Sequence, residues 1–375
     1  MDFSFNEIQL DVQKLANQIL QDQSTTERLN KIDEQALRFD QELWAQLAEA
    51  GLLGTAFAED FGGMGLGFME LCLFIEEVGR TVAAAPVVPA IVSAGLPIQA
   101  FGSDEQKQRL LGKLASGEIL LTAALHEAQN ECPSTPQTEA VVDGDAYKLT
   151  GTKVCAPFVA QAERVLLTAK VGEEVGVFLL NPKAAGVTLT EQISSSHEPW
   201  YEVVLDGAVV EAADVIMTSG GAAAAKWLAE RTSTAYCAMQ VGVTDAMLKT
   251  TAQFTCERVQ FDVPIGSFQA VQHRAADCFI DVQCLKLTTY QAASMLDAGS
   301  EATNEVLSAK IWAGDTGHRV SYAAQHLHGG TGIDKDYHLW RFCLWARHLE
   351  VVLGSSAQLT AMMGQRIAAG EAFAV

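Results

Sequence analysis

The stretch Glu257-Arg258-Val259-Gln260-Phe261-Asp262-Val263-Pro264-Ile265-Gly266-Ser267-Phe268-Gln269-Ala270-Val271-Gln272-His273 joins the end of one long helical pattern to the start of the next. It sets one Arg, several side-chain amides and two Phe around a Pro264-Ile265-Gly266 turn. Arg is the side chain best suited to fork onto a pyrophosphate. Gln amides can read an adenine or flavin edge, and Phe can cover a ring. The plainer alternative is a surface arginine paired with Glu257 or Asp262.

Outward from this junction, the apolar periodicity predicts four long helical segments, Ala222–Arg258, Phe268–Ala298, Glu301–His326 and Asp336–Ala369, with short joints. Four such segments argue for an antiparallel bundle. Upstream, Ile119–Leu125, Thr138–Val142, Ala146–Thr150, Arg164–Ala169, Val175–Leu180, Trp200–Leu205 and Ala208–Glu211 read as short strands, with hairpin turns at Asp143-Gly144 and Asp206-Gly207. Residues 1–118 read as helical, and Phe68, Leu71, Cys72, Ile75 and Val78 form one buried stripe. The glycines at 62, 63, 65 and 67 lack P-loop spacing and a following Lys-Ser/Thr, so they read as a tight turn rather than a phosphate cradle. The expected fold is α+β: an N-terminal α-helical domain (1–118), a middle β barrel or sandwich (119–218) and a C-terminal antiparallel four-helix bundle (219–375).

A chain of 375 residues is long enough for two or three packed domains. Its formal net charge of −21 argues against nucleic acid or an anionic membrane as partner. An anionic small molecule stays open to it, through a local Arg or Lys. The eight cysteines include no C-x-x-C pair, which suits free thiols in a reducing compartment. The histidines lack metal spacing, and His326 and His328 fall on different helix faces, so no metal site is expected. The apolar run Val82–Phe101 carries Pro86, Pro89 and Pro97, which disfavour a membrane helix. The acidic N-terminus has no secretory n-region, so a cytoplasmic location is expected.

Local motifs in this order resemble the acyl-CoA dehydrogenase family. They include Gly51-Leu52-Leu53-Gly54, Phe61-Gly62-Gly63-Met64-Gly65, Phe101-Gly102-Ser103-Asp104-Glu105-Gln106-Lys107, Leu149-Thr150-Gly151-Thr152-Lys153, Arg258-x-Gln260-Phe261-x-x-Pro264-Ile265 and His328-Gly329-Gly330-x-Gly332. Each alone is weak; their order and spacing over most of the chain are what carry the likeness. The resemblance implies FAD held between two subunits, with the Arg-x-Gln-Phe junction and the Gly-Gly loop lent to a neighbour's adenosine diphosphate end. By that likeness Arg258, Gln260, Phe261, Ile265, Phe268, His326, Gly329 and Gly330 are the cofactor-binding candidates.

The departures are concentrated. The family abstracts a proton α to a thioester carbonyl, and a positioned carboxylate speeds such a step about 10²–10⁴-fold. Most members place that Glu just before a Gly near the C-terminus; here the matching residue is Leu353. Others place it on the first bundle helix, 26 residues before the junction Arg, which falls here on Thr232. No catalytic base is therefore expected in this chain, with Glu230 and Glu350 as the displaced substitutes nearest those positions. The family's Thr-Glu-Pro and Ala-Gly-Ser-Asp segments are His126-Glu127-Ala128 and Gln129-Asn130-Glu131-Cys132 here, and its flavin-facing Trp-Ile-Thr is Cys155-Ala156-Pro157.

What is lost would serve the flavin ring in the same chain; what is kept would be lent to a neighbour. The resemblance thus implies the non-catalytic subunit of a heteromeric, α2β2 acyl-CoA dehydrogenase whose homologous partner supplies the base, the ring site and most of the acyl-CoA site. The segments Asp334-Lys335-Asp336-Tyr337-His338-Leu339 and Leu344-Trp345-Ala346-Arg347 look most like members acting on CoA thioesters of steroid side chains. Two other readings stand beside it: a self-sufficient homotetramer using Glu230 or Glu350, and a flavin-free scaffold or acyl-CoA-binding protein. If this chain has an acyl pocket of its own, Gly62–Gly79 and Tyr236–Met247 would line it, although the same residues suit ordinary core.

Overall fold

The computed structural model describes residues 4–130 and 132–371. Helices come first: α1 (Glu7–Gln23), α2 (Thr26–Asp33), α3 (Gln41–Glu49), α4 (Phe68–Thr81), α5 (Leu96–Phe101) and α6 (Asp104–Ala115). Reciprocal capping boxes, Asn6 with Gln9 and Ser103 with Gln106, start α1 and α6 by satisfying N–H groups that helix geometry leaves open. Before α5, Val88–Gly95 forms a π-helix in which every residue is buried. The prolines of this run withhold N–H groups, and the Ser93 hydroxyl donates to the Val88 carbonyl at 3.2 Å. Among the described residues no helix is long and apolar enough to cross a membrane.

The middle of the chain is a mixed sheet: β1 (Leu121–Ala124), β2 (Glu139–Asp143), β3 (Ala146–Pro157), β4 (Arg164–Val171), β5 (Glu174–Leu180), β6 (Val187–Ile193), β7 (Pro199–Val210) and β8 (Val215–Met217). The order is β6-β7-β3-β2-β4-β5-β8, with β1 parallel to β4. Phe178 and Leu180 of β5 share one apolar cluster with Tyr201, Val203 and Leu205 of β7, although three strands lie between them, so the sheet curls around its own core. Asp143-Gly144 makes the expected hairpin turn. Asp206-Gly207 does not. Asp206 and Ala208 both pair with β3, Gly207 bulges out with φ +66°, and β7 runs straight through. The strand Val187–Ile193 lacks a clean apolar alternation, since Thr188, Thr190, Glu191 and Ile193 are exposed and Val187, Leu189 and Gln192 are only half-buried.

The C-terminal helices are α7 (Gly221–Glu257), α8 (Gln269–Asp297), α9 (Thr303–His328), α10 (Leu339–Val351) and α11 (Ser356–Ala368). The last of the four expected segments is thus two helices. Leu353 and Gly354 take φ of +58° and +106°, which ends α10, and Ser355 caps α11.

Packing gathers the chain into two bodies. One holds Ile32–Gly67 and Ala84–Thr232, with the π-helix, α5, α6 and the sheet. In it, the loop after Phe61 spends its N–H groups on Ala58, Gly54, Phe57 and Thr55 carbonyls, and a Cβ on Gly63 would strike the Phe57 carbonyl at 2.1 Å. That is a tight backbone contact with no amides left for a phosphate. The other body holds α1, α4 and the chain from Ser233. There α4 and α7 meet backbone to backbone: a Cβ on Gly79 would lie 2.0 Å from the Met239 carbonyl, and one on Gly242 1.9 Å from the Glu76 carbonyl. Tyr236, Met239, Val243 and Met247 are buried there, the core alternative for this stretch. Arg80 ties the crossing through Glu76 (2.6 Å), Glu77 (3.0 Å) and Asp245, and the Tyr290 hydroxyl donates to Glu76 at 2.6 Å.

Candidate functional site

The junction after α7 is a two-residue hairpin. Val259 pairs with Pro264 and Gln260 with Val263 (β9, Val259–Gln260; β10, Val263–Pro264), so the turn sits at Phe261-Asp262 rather than at Pro264-Ile265-Gly266. Phe261 and Asp262 both take positive φ, +54° and +65°, as a type I′ turn demands. Asn-Gly would adopt this geometry freely; an aromatic residue does so under strain. The tip is nevertheless held up to solvent, with Phe261 87% exposed and edge-on to Phe268 at 6.2 Å. Backbone bonds fix the base of the hairpin: Arg258 N–H to the Phe254 carbonyl and Ile265 N–H to the Arg258 carbonyl, each 2.8 Å. Ile265 is half-buried. The Gln260 amide donates to the Val259 carbonyl at 2.7 Å. The Arg258 guanidinium is exposed and, among the described residues, bonds to neither Glu257 nor Asp262; Glu257 is taken by Gln253 at 2.8 Å.

Gly329 ends α9 at φ +60°, ψ −133°, a conformation open essentially to glycine alone. A Cβ on Gly329 or Gly330 would find no atom within 4 Å, so the loop backbone faces open space. His328 joins loop and hairpin. Its ring stacks on Phe254 at 4.1 Å, its Nδ1 donates to the Ala324 carbonyl at 2.8 Å, and its Nε2 accepts from the Tyr337 hydroxyl at 3.3 Å. Burial pulls its pKa down, which keeps the ring neutral. Since Phe254 lies one turn before Arg258, this stack brings the Arg258 hairpin and the Gly329 loop together. Sequence reasoning passed His328 over as a ligand and had no signal for its partner. His326, two residues earlier, is exposed.

The two positions that the resemblance marks for a base are apolar or sealed. Leu353 sits in the left-handed turn after α10. The buried Lys310 caps that helix end, its ammonium donating to the carbonyls of Leu349 (3.0 Å), Glu350 (3.3 Å) and Gly354 (3.2 Å). A cation at a helix C-terminus is favoured by the exposed carbonyls and the dipole. Thr232 is 2% exposed, and its hydroxyl is 3.1 Å from that of Ser93 in the π-helix. Glu230 pairs with Lys226 at 2.9 Å. Glu350 lies between Arg347 (2.7 Å) and His318 (3.4 Å).

In the sheet, Glu127 is a structural hub. It takes Lys153 Nζ at 2.7 Å, the Thr138 hydroxyl at 2.6 Å, the Thr138 N–H at 2.9 Å, the Asn130 amide at 3.1 Å and the Gln137 N–H. Burial would push its carboxyl up, but Lys153 and these donors outweigh it and hold the pKa down at about 2. Cys155 bulges out of β3 at φ +52°, its N–H bonded to Gln192 Oε1 at 2.9 Å, and Pro157 offers only a carbonyl, taken by Thr122 at 2.6 Å. Glu131 lies outside the described residues. Four cysteines are buried, Cys284 is half-buried and three are exposed, all free; no cluster of three or more metal-ligating side chains occurs among the described residues.

Family models for the N-terminal and C-terminal domains of acyl-CoA dehydrogenases match residues 6–118 and 219–368. Acyl-CoA dehydrogenase FadE27 of Mycobacterium tuberculosis is 35% identical over 98% of this chain and 99% of its own length. The chain belongs to the acyl-CoA dehydrogenase family. Among solved structures, a chain from a variant of the Tcur3481-Tcur3483 steroid ACAD matches with TM-score 0.91 and 36% identity, covering 97% of this chain and 99% of that one. A chain of the Mycobacterium tuberculosis ChsE4-ChsE5 complex matches with TM-score 0.93 and 34% identity, covering 98% and 99%. Acyl-CoA dehydrogenases typically bind FAD. The two ends of that cofactor fare differently here. A free guanidinium and an unobstructed glycine backbone suit its diphosphate. At the positions that the resemblance assigns to the flavin ring and the base, the chain carries Cys155, Pro157 and Leu353, whose side chains offer no aromatic ring, hydroxyl or carboxylate.

Proposed function

We propose that this chain is the non-catalytic subunit of a heteromeric acyl-CoA dehydrogenase acting on a CoA thioester, with a steroid side chain as the substrate class. The observation that carries the reading is Leu353. It stands where the family resemblance calls for a carboxylate, in a left-handed turn, and its alkyl side chain cannot take a proton. Thr232, buried against Ser93, is no base at neutral pH either. FAD, when bound, accepts the hydride leaving the thioester's β carbon. Arg258 would hold its diphosphate, Gln260 and Phe261 would flank it, and Gly329 and Gly330 would admit its approach. The partner, a homologous dehydrogenase, would supply the carboxylate that takes the α proton. The likeness to chains from the ChsE4-ChsE5 complex and from the steroid ACAD supports both the pairing and the substrate class.

Purified alone and with its partner, the protein is expected to dehydrogenate a steroid-side-chain CoA thioester only in the complex. Turnover by the single chain would refute the reading. A self-sufficient enzyme would have to use Glu350 or Glu230, and both are already committed to cations.

A further inference from the structure

Two side chains near the glycine loop have no place in this account. Arg274 is half-buried on α8, and Tyr322 is exposed on α9, one turn before His326. The Tyr322 and His326 rings lie nearly parallel, 15° apart with centroids at 6.3 Å. Arg274 Nη1 is 3.3 Å from His326 Nδ1, and the guanidinium carbon is 5.8 Å from the Tyr322 ring centre. A guanidinium has only donors, so this contact has one polarity: Arg274 donates and Nδ1 accepts. An imidazole whose Nδ1 accepts is neutral and carries its proton on Nε2. Nε2–H has no partner among the described residues and lies on the last turn before Gly329 and Gly330. The tyrosine ring runs nearly parallel to the imidazole, and the arginine contact decides which nitrogen bears the proton.

We propose that Arg274 is a positioning residue for the dinucleotide: it locks His326 as the Nε2–H tautomer, and that N–H donates to an acceptor on the adenosine monophosphate half of the shared FAD, its phosphate oxygen or an adenine nitrogen. This rests on the reading that the chain completes a partner's cofactor site. It divides the work at the corner, with Arg258 as the charge and His326 as a neutral directional donor.

The test has two arms. In ¹⁵N-histidine-labelled protein, long-range ¹H–¹⁵N spectra should show His326 as the Nε2–H form, Arg274→Met should give a tautomer mixture, and Arg274→Lys should keep the wild-type pattern. In the complex stripped of flavin, Arg274→Met should weaken FAD binding by about tenfold and leave FMN, which lacks the adenosine monophosphate half, unchanged; Arg274→Lys should recover most of the loss. Competition by inorganic diphosphate and by adenosine then assigns the acceptor: the competitor that loses potency in Arg274→Met marks it. A wild-type Nδ1–H spectrum overturns the proposal, as does unchanged FAD affinity in Arg274→Met. If the wild-type complex takes up no FAD, the proposed function falls, while the spectra still decide the Arg274–His326 assignment.

Discussion

The Arg258 corner is open: its guanidinium stands in solvent, a side chain added at Gly329 or Gly330 would meet no atom, and Phe261 is raised on a strained turn. At Glu127 and Thr232 in one body, and at Leu353 in the other, the reverse holds. Glu127 is filled by five donors, Thr232 is bonded to Ser93, and the Leu353 turn is fastened to Lys310. Both regions are well built, so neither is decay. An exposed charge and a strained, solvent-facing turn suit a surface that takes a ligand, whereas Glu127, Thr232 and the Leu353 turn are each held by bonds within the chain.

The sharpest way to break this contrast is to attack the closed region. Lys153→Met leaves the Glu127 carboxylate buried without its cation, and denaturant melts should show a loss of about 3–5 kcal/mol. Acid probes the same pair. The folded carboxyl sits near pKa 2, below its ordinary 4.5, so its contribution is present above pH 4.5 and fades as pH falls toward 2. A fall in stability over that window that Glu127→Gln abolishes would confirm the sign. Next, Arg258→Ala should strip the complex of flavin on gel filtration, with affinity down about 10–100-fold and stability unchanged; destabilisation would return Arg258 to a structural role. Phe261→Asn should stabilise the chain by about 1 kcal/mol by relaxing the turn, yet weaken flavin retention. The smallest effect is expected from Glu230→Gln and Glu350→Gln, which should each leave the complex's turnover within about twofold. A collapse in either would name a displaced base.

Much of this was legible in the chain itself. Periodicity placed most of the helices and Asp143-Gly144 placed a hairpin, while the reading of Leu353 and Thr232 as base positions rests on the family resemblance. What could not be read depends on partners distant in sequence. Phe254 and His328 stack only because α7 and α9 end side by side, and Lys310 is unremarkable until α10 ends above it. Asp206-Gly207 carries the local signature of a turn, but pairing of both its flanks with β3 overrode that preference. The turn at Phe261-Asp262 ran against residue preference, as positions under functional demand often do.

The most direct measurement is flavin per polypeptide, by absorbance, for this chain alone and co-purified with its homologous partner. Negligible flavin in the first preparation, and about one flavin for every two polypeptides in the second, is the result expected of a subunit that supplies only one edge of the site. A full complement of FAD on the chain by itself would contradict it.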